Sequence, residues 1–215
     1  MKKTYGQVSA EYVHDNTVNP AQNIWNGLRY KVYLDWFTQL NNIRGTEGKF
    51  LMNFGFDARH YLPLYRNLIW AVRAAGGFSW GNQKVVYYLG GVDGWLKFGD
   101  NQKVDQNTGE VSYRYFEPNN LPDPDAAYAY QALAVNLRGF KQNVANGNNN
   151  LVFNSEVRFP VFATLFNRPI NNAFLRNFQL VQFVDLGTAW NGGYDDFERP
   201  YVLYANNSAP GVAVK

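Results

Sequence analysis

The chain has 215 residues, a formal net charge of +3 and no cysteine, which excludes disulfides and thiolate metal sites and disfavours nucleic-acid binding. Hydrophobic residues make up 46% of the chain, but the mean hydropathy is −0.39 and no run of roughly 18 apolar residues could form a membrane-spanning helix. An aromatic content of 17% is compatible with a membrane β-barrel, whose alternating strands give only a weak hydropathy signal.

Alternating hydrophobicity predicts strands along most of the chain. Residues 27–37 place mainly charged or aromatic residues on one face and an apolar set on the other. The apolar set is Leu28, Tyr30, Val32, Leu34 and Trp36. Successive side chains of a strand point to opposite faces, so this pattern predicts a strand with two different faces. The same pattern predicts five further strands: 4–14, 50–62, 68–80, 150–159 and 177–190. Several are long enough for a tilted crossing of a bilayer.

One connection is much longer than the others. Residues 81–147 exceed the roughly 12–15 residues beyond which loops usually have a function or are disordered. The polar middle of this segment, 99–125, predicts an excursion outside a membrane, and a short helix is expected near 126–133. The last residues, 191–215, are expected to form a loop. Met1–Lys3 is followed by no apolar core, so the sequence predicts no export signal at this point and we expect a piece of a longer polypeptide.

Signatures of catalysis are missing from the sequence. His14 and His60 are too few for a histidine metal cluster, and Ser155 has no neighbouring histidine. Asp57 and Arg59 are expected to form an ion pair on a polar strand face, not a catalytic pair. The sequence therefore predicts no enzyme, no cofactor and no metal site.

Arg138 is the main candidate for a functional residue. Gly139 beside it permits a tight turn, and a guanidinium enclosed in a barrel would need carboxylate partners. Glu156 and Asp185 both fall on the polar faces of predicted strands. The alternative from the residues alone is an exposed loop arginine beside a turn glycine.

Several short motifs, taken together and in order, resemble the bacterial surface antigen family, the barrels of outer-membrane protein assembly factors (BamA-like) and of related secretion transporters. The motifs are Tyr88-Leu89-Gly90-Gly91, Leu137-Arg138-Gly139-Phe140, the run from Asn154 to Pro160, and Phe183-x-Asp185-x-Gly187. The resemblance covers most of the chain, which would correspond to the C-terminal barrel portion. It departs from the family in offering too few strands for a whole barrel.

The resemblance implies roles for individual residues. In the family, an arginine-glycine-aromatic tip of a long extracellular loop folds into the barrel lumen and is held by acidic residues of the next two strands. Arg138 would therefore pair with Glu156 and Asp185, while Gly139 and Phe140 would shape the tip. Phe183 and Gly187 would complete the strand motif against it. Leu137 stands where valine is more frequent in the family.

The expected fold is all-β: a portion of an antiparallel transmembrane β-barrel spanning residues 1–215, with about six long meander strands and one loop inserted in the lumen. The expected function is insertion or translocation of proteins at the bacterial outer membrane. Its partners would be outer-membrane lipid and unfolded or nascent outer-membrane proteins. Periplasmic or lipoprotein accessory subunits could also bind. The alternatives are a passive porin or receptor-type barrel and a soluble β-sheet binding domain.

Overall fold

The computed structural model describes residues 4–18, 26–40, 48–91, 100–166 and 170–192, and the backbone of 202–206 and 209–214. Strands dominate, so the chain belongs to the all-β class. The strands are β1 (Tyr5–Asp15), β2 (Gly27–Gln39), β3 (Phe50–Tyr65), β4 (Leu68–Gly81), β5 (Lys84–Leu89), β6 (Gln102–Val104), β7 (Val111–Tyr113), β8 (Tyr128–Leu133), β9 (Ala145–Gly147), β10 (Asn149–Pro160), β11 (Gln179–Trp190), β12 (Val202–Asn206) and β13 (Ala209–Val214). Two short helices, α1 (Val161–Leu165) and α2 (Ala173–Asn177), connect β10 to β11.

Eight of these strands form one antiparallel sheet in the order β1-β2-β3-β4-β10-β11-β12-β13. The six long members, β1 to β4, β10 and β11, have 11 to 16 residues and coincide with the six strands predicted from alternation. Among the described strands, β1 and β13 are the two edges and the sheet does not close on itself. Closure into a barrel and passage through a membrane remain predictions.

The C-terminal residues 191–215 differ from the expected loop. They contribute β12 and β13, which extend the sheet beyond β11. Each strand has only 5 or 6 residues, too few for alternation to stand out in the sequence. The parts of this segment at 193–201, 207–208 and 215 lie outside the described residues, as does the charged start at Met1–Lys3.

The long connection between β4 and β10, residues 82–148, has secondary structure of its own. It contains a three-stranded sheet in the order β8-β5-β9, in which β5 and β8 are parallel, and the small hairpin β6-β7. The short helix expected near 126–133 is wrong, because Tyr128–Leu133 is the strand β8. Its backbone groups pair with β5, a tertiary interaction that overrides the local helix preference of the alanines.

The two faces of the eight-stranded sheet differ as the alternation predicts. The described strands of the segment 82–148 pack on one face, here called the covered face, where Val85 N donates to Ser79 Oγ at 2.8 Å and the Tyr87 hydroxyl donates to Asn53. The core lies between this segment and the sheet and includes Leu89, Leu137, Ala145, Val152 and Ala189. The opposite, open face carries large exposed apolar side chains: Leu34, Trp36, Trp70, Trp80, Phe153, Leu180, Val184 and Leu186.

Candidate functional site

Arg138 lies in a turn between β8 and β9, on the side of the long segment that meets the sheet. The backbone N–H of Leu137 donates to the carbonyl of Gly90 at 3.0 Å, which ties the turn to the end of β5. Gly139 has a φ of +83°, in the left-handed region that favours glycine. The glycine after Arg138 therefore lets the chain reverse direction while the guanidinium points at the covered face.

Asp185 on β11 is the principal partner of Arg138. The guanidinium donates from Nε to Asp185 Oδ2 and from Nη2 to Oδ1, both at 2.8 Å. The backbone N–H of Arg138 also donates to Oδ2, at 3.0 Å. Asp185 is fully buried, with 0% of its surface exposed. A buried carboxylate in a bidentate pair of this kind is compensated in both charge and hydrogen bonding.

Glu156 on β10 holds the other edge of the guanidinium. Arg138 Nη1 donates to Glu156 Oε2 at 2.7 Å, and Arg158 Nε donates to Glu156 Oε1 at 2.6 Å. The register of β10 and β11 pairs Glu156 with Phe183 and Asn154 with Asp185. The two carboxylates are therefore diagonal neighbours on adjacent strands, close enough to share one guanidinium.

An aromatic ring completes the surroundings of the arginine. The guanidinium carbon of Arg138 lies 4.1 Å from the centre of the Phe183 ring, within the range of a cation–π contact. The hydrogen bond with Asp185 raises the pKa of Arg138 above its ordinary value, although burial acts in the opposite direction. Arg138 is thus a permanent cation fixed by two strands, and it is suited to hold a segment in place.

Apolar packing accompanies the charged contacts. Leu137 is fully buried with Leu89, Ala145, Val152 and Ala189, and Phe140 packs against the same cluster. Gly187 on β11 leaves room for this packing, because a Cβ added there would lie 3.1 Å from Leu137 Cδ1. The structure therefore brings together all eight residues singled out in the sequence: Leu137, Arg138, Gly139, Phe140, Glu156, Phe183, Asp185 and Gly187.

A second charged group lies beside this anchor on the covered face. The expected Asp57–Arg59 ion pair is confirmed, with Arg59 Nε 3.0 Å from Asp57 Oδ1. Arg73 Nε also donates to Asp57 Oδ1 at 3.0 Å. The sequence interpretation missed Arg73 and Arg158 as members of these clusters. The available signal was their position on the polar faces of predicted strands, next to carboxylates on the same face.

Within the described part of the chain, no group of three or more histidine, cysteine or acidic side chains is placed to hold a metal ion. No helix among the described residues is long and apolar enough to cross a membrane. No protein-family model, curated protein or solved structure matches the chain. The interpretation of the site therefore depends on its residues and geometry.

Proposed function

We propose that this chain is a portion of an outer-membrane barrel that inserts or translocates proteins at the bacterial outer membrane. The observation that carries the proposal is the contact by which Arg138, in the segment 82–148, binds Asp185 and Glu156 on the covered face of the sheet. It is the arrangement that the resemblance to the bacterial surface antigen family implies. These contacts fix the position of the long loop on the strands β10 and β11.

The distribution of side chains between the two faces supports a membrane location. Trp36 and Trp80 on the open face are 46% and 43% exposed, and Leu34, Trp70, Phe153, Leu180, Val184 and Leu186 on the same face are also exposed. Water-soluble monomers rarely leave such a continuous apolar surface uncovered. Membrane barrels have this arrangement, with an apolar outside and a polar interior.

The proposed mechanism uses the edges of the sheet. An exposed edge strand offers unpaired N–H and C=O groups that can bind an incoming strand by main-chain hydrogen bonds. Arg138 would keep the long segment against β10 and β11. The barrel interior would then keep one shape while a substrate strand pairs at an edge of the sheet. Hydrocarbon does not tolerate open edges, so both must be paired in a bilayer by further strands, a second copy or the substrate.

The two alternatives make different demands on the same residues. A passive porin or receptor barrel does not require a tether between the long segment and the strands, so the Arg138 contacts favour the assembly function. A soluble binding domain requires its apolar face to be covered by protein, and the exposure of Leu34 and Val184 disfavours this alternative.

A simple test distinguishes the soluble domain from the membrane barrel. A chain that stays monomeric and dispersed without detergent would support the soluble domain and contradict the proposal.

The assembly function is tested by folding assistance. The barrel that contains this chain is placed in phospholipid vesicles, an unfolded outer-membrane barrel protein is added, and the protease-protected substrate is measured over time. We expect faster protection than with empty vesicles, and a loss of the acceleration in Arg138→Ala. The control is Arg29→Ala, which removes an arginine of the same face whose ion pair with Asp15 joins β1 and β2 and is exposed. Equal rates with the native protein and with empty vesicles would overturn the proposed function.

A further inference from the structure

A recess of about 230 Å³ opens on the covered face next to the Arg138 anchor. Four arginines from three strands and the long segment line it: Arg59, Arg73, Arg138 and Arg158. The volume is much greater than the roughly 10–15 Å³ that a cavity needs to hold one water molecule. The recess therefore has room for a small polyatomic ion in contact with several guanidinium groups.

The charges around the recess do not balance. Arg138 and Arg158 are matched by two carboxylates, Asp185 and Glu156. Arg59 and Arg73, in contrast, share the single carboxylate of Asp57. Four guanidinium groups thus meet three carboxylates.

The neighbouring cations of the sheet do not change this count. On β2, Arg29 and Lys31 lie directly opposite Arg59 and Asp57 and are paired with Asp15 and Glu11. The further carboxylate on this face of β2, Asp35, accepts a hydrogen bond from Ser9 and lies opposite Asn53, two residues along β3 from Asp57. The excess positive charge is therefore local to the pair that shares Asp57. It lies at the wall of the recess.

The excess positive charge lies where an anion would be bound more strongly than at an open surface. Arg59 and Arg73 are directly opposite each other on β3 and β4, an arrangement in which like charges are destabilising. Their side chains are 35% and 28% exposed, so water screens them only in part. Guanidinium groups match the oxygens of a phosphate in geometry as well as in charge.

We propose that this recess is a binding site for a phosphate group, with Arg59 and Arg73 as its main ligands. The group could be supplied by inorganic phosphate or by the phosphate of a glycerol-linked lipid headgroup, since both present the same oxygens. The site borders the contacts that fix Arg138, which also lines the recess, but it does not depend on the assembly function.

Binding is measured on the whole chain by the shift of its thermal unfolding midpoint with inorganic phosphate, compared with chloride at matched ionic strength. We expect phosphate to raise the midpoint and Arg73→Gln to weaken binding about tenfold or more, a change of about 1.4 kcal/mol. Arg114→Gln is the control, because Arg114 is exposed beside β7 and does not line the recess, and it should bind as the native protein does. Asp57→Asn should tighten binding, because it removes the carboxylate that competes for both arginines.

A second measurement uses the native protein alone, so it does not depend on the folding of any variant. An arginine-specific dicarbonyl reagent is applied with and without phosphate, and the modified residues are located by mass spectrometry. Phosphate should slow the modification of Arg59 and Arg73 and leave that of the exposed Arg114 unchanged. Glycerol 3-phosphate protecting at lower concentration than inorganic phosphate would identify the lipid headgroup as the source, and the reverse order would identify the free ion. Equal modification of Arg59, Arg73 and Arg114 with and without phosphate, or equal binding by Arg73→Gln and Arg114→Gln, would overturn the proposal.

Discussion

Asp185 accepts three hydrogen bonds from Arg138, one from the backbone nitrogen and two from the guanidinium group. The aspartate therefore fixes both the path of the chain at the turn and the direction of the side chain. A lysine could supply the charge but not the two parallel N–H groups. The contact joins a residue of the long segment to one 47 positions later on β11, so it links two parts of the fold that are distant in sequence.

Replacing Arg138 with alanine should reduce the free energy of unfolding by about 3–5 kcal/mol, because the fully buried Asp185 would lose its only countercharge among the described contacts. Denaturant unfolding followed by tryptophan fluorescence measures this change. Arg29→Ala is the control, since its ion pair with Asp15 is exposed, is screened by water and should contribute little to stability. Similar losses in the two variants would contradict the view that Arg138 is a buried anchor.

Gly187→Ala should destabilise the packing of the long segment against β11. The added Cβ would lie 3.1 Å and 3.2 Å from the two terminal carbons of Leu137, and also 3.2 Å from Leu89 Cδ2. Overpacking of this kind typically costs about 1–3 kcal/mol. We expect faster proteolysis within residues 82–148, measured by mass spectrometry of the cleavage products.

The matched control for this variant is Gly48→Ala, where an added Cβ meets no atom within 4 Å. The double variant Gly187→Ala with Leu137→Ala should lose less stability than the sum of the two single changes, because the smaller side chain removes the crowding. Additive losses would show that Gly187 does not act through Leu137.

Val184→Arg tests whether the open face meets lipid. Val184 is 40% exposed on the open face of β11, whereas Val104 is 53% exposed on β6, away from the large sheet. In vesicles, Val184→Arg should cost up to about 2–4 kcal/mol, because a charge on the lipid-facing side of a barrel is unfavourable near the middle of the bilayer. Val104→Arg should be close to neutral. Equal folding yields for the two variants in vesicles would argue that the open face does not contact hydrocarbon.

The sequence predicted the long strands because alternation extends over ten or more residues in each, as in β2 and β3. The sequence predicted the positions of Glu156 and Asp185 on one face for the same reason. Their meeting with Arg138 came from the resemblance, since no spacing rule connects a loop to two later strands. Long, regular patterns are thus visible in the sequence, whereas contacts between distant segments are not.

The elements that were missed are short or irregular. β5 contains the run Val85-Val86-Tyr87-Tyr88, which is apolar on both sides because it lies between the large sheet and its own neighbours. β8 pairs with it in parallel, and parallel pairing between separate strands leaves no local turn signal. Arg73 was missed as a partner of Asp57 because the two lie on different strands, 16 residues apart.

The last prediction concerns acid and the outer part of the long segment. Lys141 Nζ is hydrogen-bonded to the carboxylate of Glu117, and this bond lowers the pKa of Glu117 below its ordinary value. The backbone connects the same two stretches, with Glu117 N donating to Gln142 O at 3.0 Å. A carboxyl group whose pKa is lowered by folding adds stability above its ordinary pKa, and this stability is lost as the pH falls through the lowered value.

Amide hydrogen exchange at residues 115–117 and 141–143, corrected for the intrinsic effect of pH, should therefore accelerate as the solution is acidified. Lys141→Gln should exchange faster than the native protein at neutral pH, and the two should converge in acid, because protonated Glu117 no longer attracts Lys141. Lys103→Gln on the exposed strand β6 is the control and should follow the native profile. A constant difference between Lys141→Gln and the native protein across the acidic range would show that the ionised Glu117 does not stabilise this contact.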